Sequence, residues 1–372
     1  MLSFAALGGG VGAAYETGLL TPLSDRATRV FTPEAKPAVA PPVALTGVRE
    51  KNALKFPENP ANAEYLVKQM DSFAPDVSRF LYTVMAGEAQ KAANLLADRK
   101  DGADLIQRAG SLAMVIAARN GDLDMIRVLH GAGQSPGQAY HPTTYAPEDF
   151  WVPLVDAVER GLPKTVELLI ALGADTEQRD NPRRPTPYML AAYSPLVETP
   201  AAIEVMDKFQ KGGAKLEALS PYGEDALMHT ISGSFGDARK FEKALSVLPE
   251  ARAAVNHVYL THKGGLTVLM AEIDRVSYKG DTNTPIVKSI LAHGADVKNA
   301  DGWTALHLAA ELDQLETVKM LVKAGANIHA RNNDGQTALE VAKKSDFEPV
   351  AARNYLQSLM QPKPAKALTP PS

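Results

Sequence analysis

The sequence has no cysteine. Disulfides, cysteine-ligated zinc, iron–sulfur clusters and thiol catalysis are therefore excluded. Aromatic residues are scarce, at 6 %, and the two tryptophans are Trp151 and Trp303. No lysine or arginine precedes Arg26, so the basic start of an ordinary signal peptide is missing. Charge of neither sign dominates: the net charge is −4. A nucleic-acid-binding surface needs clustered Lys and Arg and is not expected. Short catalytic motifs are absent too. No HExxH, EF-hand loop, Walker A or G-x-S-x-G pattern occurs. The Gly233–Gly236 stretch lacks the first glycine of a nucleophile elbow, and the glycines at 8–10 precede no strand–helix unit.

What is present is an ordinary balance of 45 % hydrophobic and 22 % charged residues over 372 positions. That composition suits a folded chain, and the length calls for two domains or one array that grows by repetition. Residues 1–25 are mildly apolar but contain Glu16, which is costly in a bilayer centre. A membrane anchor or export signal and an unstructured leader both fit them. Residues 26–52 are rich in Pro and Ala, as in a semi-extended spacer. Residues 53–76 read as an N-terminal capping helix. Residues 77–360 read as a repeat array of about eight units, and 361–372 as a frayed tail. An anchor, a Pro/Ala spacer and then a folded domain point to a bacterial envelope protein, inner-membrane-anchored or periplasmic. A cytoplasmic chain is the alternative.

The repeat is clearest near the C-terminus. Asp301-Gly-Trp-Thr-Ala-Leu-His-Leu-Ala-Ala310 is echoed by Asp334-Gly-Gln-Thr-Ala-Leu-Glu-Val-Ala342, and Thr304 to Thr337 is 33 positions. Leu306, Leu308 and Ala309 recur at helical spacing, and Val318, Leu321 and Val322 form the stripe of a second helix. Gly325 comes after that helix, where a left-handed capping residue is wanted. It lies 21 positions after Thr304; Gly133 and Gly173 lie 21 after Leu112 and Val152. Further units open at Ser111, Val152, Thr186, Gly223 and Gly265, with a degenerate first unit at Phe80–Leu96. The units from 186 to 265 are irregular, and the one opening at Gly223 lacks the Gly-Ala ending. Thr199-Pro200, Thr284-Pro285, Pro163 and Pro349 mark starts of second helices.

The period and the Thr304, Leu306, His307, Ala309, Leu321, Gly325 and Ala326 pattern resemble the ankyrin repeat family. The resemblance implies a mainly α solenoid of helix-turn-helix repeats with short hairpin loops. It gives His307 the role of bonding the Thr304 hydroxyl and nearby backbone. It also implies a protein partner, bound by hairpin tips and by the ends of first helices. In this register those positions are Ser111, Arg119, Asn120, Trp151, Glu159, Arg160, Arg179, Tyr193, Tyr222, Asp274, Arg275, Trp303, Glu311, Leu312, Arg331 and Gln336. Arg119, Trp151, Glu159, Arg160, Arg179, Tyr193, Tyr222, Arg275, Trp303, Glu311 and Arg331 are the partner-binding candidates. Both tryptophans sit just before a helix start, where they either anchor a partner or pack over the neighbouring hairpin.

No catalytic or metal-binding residue and no cofactor is assigned. The remaining histidines are His130, His141, His229, His257, His262, His293 and His329. His257 and His262 read as residues of a solvated loop without a carboxylate at metal-ligand spacing. The expected function is a non-catalytic protein-interaction scaffold. Alternatives are an immunity or inhibitor protein sequestering a toxic effector in the bacterial envelope, and an enzyme or structural envelope protein with a site in the irregular middle repeats.

Overall fold

The computed structural model describes residues 45, 60–98, 100–142, 150–194, 197, 199–233, 238–248, 251–261, 264–276, 284–297, 302–345 and 350–361. The leader at 1–25, the spacer at 26–52 (Leu45 apart), His262 and the tail beyond Gln361 lie outside the described residues.

The chain begins its described part with helix α1 (Pro60–Asp71), where the sequence suggested a capping helix over 53–76. Leu66 and Met70 of α1 are buried, so it covers the open side of the first helix pair. The pairs then run in order. They are α2 (Pro75–Ala86) with α3 (Ala89–Ala97), α4 (Asp101–Arg119) with α5 (Leu123–Gly131), and α6 (Pro153–Glu159) with α7 (Pro163–Ala171). Next come α8 (Pro187–Tyr193) with α9 (Thr199–Lys211), and α10 (Ala226–Gly233) with α11 (Ala238–Ser246). A short helix α12 (Ala251–Val255) and the strands β1 (Tyr259–Thr261) and β2 (Gly264–Leu266) interrupt the series. The strands pair antiparallel, Tyr259 opposite Leu266 and Thr261 opposite Gly264. Then come α13 (Val268–Val276) with α14 (Thr284–Ala292), α15 (Ala305–Glu311) with α16 (Leu315–Lys323), and α17 (Ala338–Lys344) with α18 (Val350–Met360). First helices stack on first helices from α2 to α17, and second helices on second helices from α5 to α18. The expected α solenoid is the fold.

The small residues explain the stacking. Ala117, Ala118, Ala191, Ala192, Ala309 and Ala310 are all buried, and alanine lets neighbouring helices approach closely while favouring the helix. Phe80, Phe209, Phe241 and Tyr188 fill the wider gaps of one continuous core. Thr304 caps α15 with a reciprocal box: the His307 amide bonds the Thr304 hydroxyl, and the Thr304 amide donates to His307 Nδ1 at 3.2 Å. His307 Nε2 reaches the Gln336 carbonyl of the next hairpin at 2.9 Å. The histidine is thus a structural bridge between units, as its place in the repeat implied.

Two details differ from the reading of the sequence. Ser111 does not open a helix: α4 is a single helix of 19 residues that absorbs the expected tip. Gly110 lies inside it, and a Cβ there would sit 2.1 Å from Gln134 Oε1, so the close approach of that side chain needs glycine. The turn between α15 and α16 also departs from the pattern. Its αL residue is Asp313, at φ 53, where the turns after α4 and α6 use Gly121 and Gly161. Asp313 offsets the strained backbone by accepting from the Ala352 amide at 2.7 Å at the start of α18.

Glycines close the second helices α5, α7, α9, α14 and α16. Gly173 has φ +97, its amide bonds the Ile170 carbonyl and the Ala174 amide bonds the Leu169 carbonyl, both at 2.9 Å. A Cβ added there meets nothing within 4 Å, so the requirement is the left-handed backbone alone. Gly173→Ala is therefore expected to cost about 1 kcal/mol, and Gly173→Asn less. The urea midpoints measure both; an alanine variant as stable as the parent would remove φ as the reason for glycine.

Candidate partner-binding surface

The ends of the first helices and the tips of the hairpins bring many of the candidate residues together in adjoining pairs. Arg119 closes α4, and its Nε donates to Asp156 Oδ1 of α6 at 2.8 Å. Its guanidinium also lies over the Trp151 ring, 4.8 Å from the centroid. Trp151 also meets Tyr140, whose ring centroid is 5.7 Å away, and the two backbones form a bridge. Arg119 is only 9 % exposed. It is a buried cation that Asp156 and the indole face hold in place. Trp151 packs on its own hairpin, half-buried. Trp303 does the same against His307, ring centroids 5.8 Å apart.

Glu159, at the end of α6, pairs with Arg184 on the hairpin before α8. Arg184 also bonds Asp180. Burial pushes the Asp180 carboxyl up to about 6, with Arg184 opposing and Glu159 adding to the rise. Arg160 comes next as the half-buried capping residue of α6. Arg179 spans two hairpins: its Nη2 donates to the Leu219 carbonyl at 3.2 Å. Arg275, at the end of α13, is paired in bidentate fashion with the buried Glu272, at 2.9 and 3.0 Å, and so compensates that charge. Glu311 is half-buried at the end of α15, and burial and then Asp274 raise its carboxyl above the ordinary range. Arg331 bonds the Gly335 carbonyl and, at 3.3 Å, Glu340 Oε2.

Two candidates remain large and open. Tyr193 ends α8 and is 41 % exposed; Tyr222, on the hairpin tip before α10, is 69 % exposed. Tyr193 stands edge-on to His229, centroids 6.4 Å apart. Both belong to the irregular middle units.

The same region holds groups that the repeat register did not single out. Arg184 and Asp180 could have been found from the charge density of the Arg179–Arg184 tip. The cluster around α10 could not, because it joins residues distant in sequence. Asp225 Oδ1 accepts from the Met228 amide at 3.0 Å, and its Oδ2 accepts from the Tyr259 hydroxyl at 2.6 Å. Burial, and then Asp225, push the Tyr259 hydroxyl upward. His229, 7 % exposed, has its Nε2 without a hydrogen-bond partner, 3.6 Å from Glu224 Oε2. A cavity of 390 Å³ is lined by Glu217, Leu219, Asp225, Leu248, Ala253, Ala254 and His257. His257 lines it together with Glu217 and Asp225 from the loop before α10. Each oxygen of Asp225 accepts one of these bonds, so the residue caps α10 and tethers Tyr259. Among the described residues, no group of three or more His, Asp and Glu could hold a metal ion, and no helix is long and apolar enough to cross a membrane.

Stacked helix pairs with capped hairpins and paired tips define a helical repeat protein built around a surface. The family model described as "Ankyrin repeats (3 copies)" matches residues 273–357. Over that stretch the repeats are ankyrin repeats. It is 28 % identical over 194 residues to human "Ankyrin repeat and SOCS box protein 6", covering 48 % of this chain and 44 % of that protein. It is 35 % identical over 99 residues to mouse "RelA-associated inhibitor", covering 26 % and 11 %. Against the "Ankyrin repeat and KH domain-containing protein mask-1" of Caenorhabditis elegans it is 26 % identical over 246 residues, covering 62 % and 9 %. The chain spans less than half the length of each of these relatives. Among solved structures, the ankyrin repeat domain of Bcl-3 shares the fold, with a TM-score of 0.50 at 22 % identity, over 66 % of this chain and 97 % of that one.

Burial pushes the His229 imidazole from 6.5 down to about 4, against the pull of Asp225. The folded state thus holds it neutral. Its contribution to stability is complete above 6.5 and is lost as pH falls toward 4, to a limit of about 3 kcal/mol. Asp180 has the opposite sign, because its folded carboxyl takes a proton first as pH falls through 6. His229→Phe isolates the first effect: its unfolding free energy should fall less steeply than the parent's between pH 6.5 and 4. Parallel pH curves would show that His229 is not the titrating group.

Proposed function

We propose that this chain is a non-catalytic protein-binding scaffold that captures a partner on the first-helix face and the hairpin tips. The observation that carries the reading is the pair of exposed tyrosines, Tyr193 and Tyr222, on consecutive units. Tyrosine is enriched among the residues that dominate binding energy. Arg179 and Arg184 tie neighbouring hairpins together, and Arg119 ties α4 to α6. A surface fixed before contact loses little entropy on binding. A relative whose name describes an associated inhibitor, RelA-associated inhibitor, supports a protein partner.

The test is site-specific photocrosslinking in cells. A photoreactive residue at Tyr193 or Tyr222 should capture one discrete protein, and one at Lys323 on the second helix α16 should not. Equal capture at all three positions would end the assignment of this face.

For residues 1–52 we propose a tether in a bacterial envelope, with sequestration of a toxic effector, as an immunity protein performs, as the role that matches. The order of apolar stretch, Pro/Ala spacer and array supports it. The full-length chain should fractionate with membrane or periplasm. Recovery wholly in the cytosol would refute both the location and the role.

A further inference from the structure

The fifth repeat breaks the pattern at its end. The second helices α5, α7, α9, α14 and α16 close on a left-handed glycine, at Gly133, Gly173, Gly213, Gly294 and Gly325. After α11 the chain instead forms α12 and then β1. This insertion creates the 390 Å³ cavity, whose one wall is Leu248, Ala253, Ala254 and His257 and whose other wall is Glu217, Leu219 and Asp225 of the preceding loop. The volume lies within the range of roughly 300–1,000 Å³ that ligand pockets occupy.

The walls are held. Asn256, just after α12, donates to the Gly294 carbonyl at 3.1 Å and accepts from the Asp296 amide at 2.6 Å, which fixes it to the sixth unit. The Tyr259 hydroxyl bonds Asp225, which fixes the hairpin to the start of α10. The cavity's chemistry is two-part. Leu219, Leu248, Ala253 and Ala254 are apolar, while Glu217 and Asp225 bring two carboxylates, and no lysine or arginine is among the described lining residues. Asp225 has lone pairs left beyond its two present bonds. The His257 ring, stacked edge-on to Tyr259 at 4.7 Å, offers a flat face. At the rim Leu219 is 53 % exposed, and Val258, beside His257, is 47 % exposed.

We propose that this cavity binds an arginine side chain carried on an extended apolar segment of the partner protein. Glu217 and Asp225 take the guanidinium, and Leu219, Leu248 and the two alanines take the aliphatic stem. Arginine matches because its planar, weakly hydrated cation pairs with carboxylates and lies on aromatic faces, while its stem buries along apolar surface. The site rests on the reading of the chain as a protein-binding scaffold. Its walls are the stretch after a second helix, the inserted helix and the hairpin loop that also carries Tyr222, so it adjoins the hairpin-tip surface.

The test uses the full chain and two blocked tripeptides, Leu-Arg-Leu and Leu-citrulline-Leu, which differ in charge but hardly in shape. Calorimetric titration should show the arginine peptide binding about tenfold more tightly or better. Glu217→Gln should weaken it about fivefold, and Ala253→Trp, which fills the cavity from an exposed position, should abolish it while circular dichroism stays unchanged. Equal affinity for both peptides, no binding of the arginine peptide, or binding that survives Ala253→Trp would each overturn the proposal. Tyr193→Ala should leave the peptide affinity as it is; its loss there would move the site to the first-helix face. Peptide binding with no crosslink at Tyr193 or Tyr222 would separate a failure of the broader reading from a failure of this one.

Discussion

A helix of seven or nine residues does not persist by itself in water, where about 12–15 are needed for even marginal stability. Yet α6, α8, α15 and α17 have seven residues, and α7 and α16 have nine. Each therefore depends on what its neighbours cover. The interface between consecutive pairs, built from Ala117, Ala191, Ala309 and the leucines beside them, is the interaction on which the rest stands. Stability in such an array is a sum of weak units and the contacts between them. The ends need cover too, and α1 supplies it at one end through Leu66 and Met70.

That dependence also shapes the surface. A charge at the end of a first helix lies beside the next unit. Arg275 holds Glu272 within its own helix, but Arg119 holds Asp156 and Trp151 of the next unit, and Glu159 holds Arg184 on the hairpin before α8. Such residues fix the spacing of the units more than they offer themselves to a partner. Open contact area is left to side chains with no ion pair to make, and Tyr193 and Tyr222 are the large ones at candidate positions. The fixed charges and the open tyrosines together give a rigid frame carrying exposed anchors, as a recognition surface requires.

The middle of the chain trades regularity for chemistry. Where the closing glycine is replaced by α12 and a hairpin, the packing opens a cavity and gathers Glu224, Asp225, His229 and Tyr259. Burial there sets the charge states: His229 stays neutral, and Tyr259 stays protonated beside Asp225. A regular repeat leaves no room for such a cluster, because its loops are too short to fold back on the preceding unit.

The sequence alone determined the fold class, the helix pairs near the C-terminus and the role of His307. Those come from contacts within one period: the Thr304 cap, the leucine spacing and the left-handed Gly325 are all local. It also marked both tryptophans as tip residues. Only the tertiary structure decided what lay across periods. Trp151 meets Arg119 from 32 positions earlier, Asp225 meets Tyr259 from 34 later, and Gly110 makes way for Gln134 inside a helix that the sequence had split. A repeat's register fixes which residues face outward. It does not fix which neighbours they meet, because that depends on the loop lengths and insertions through which one unit is laid against the next.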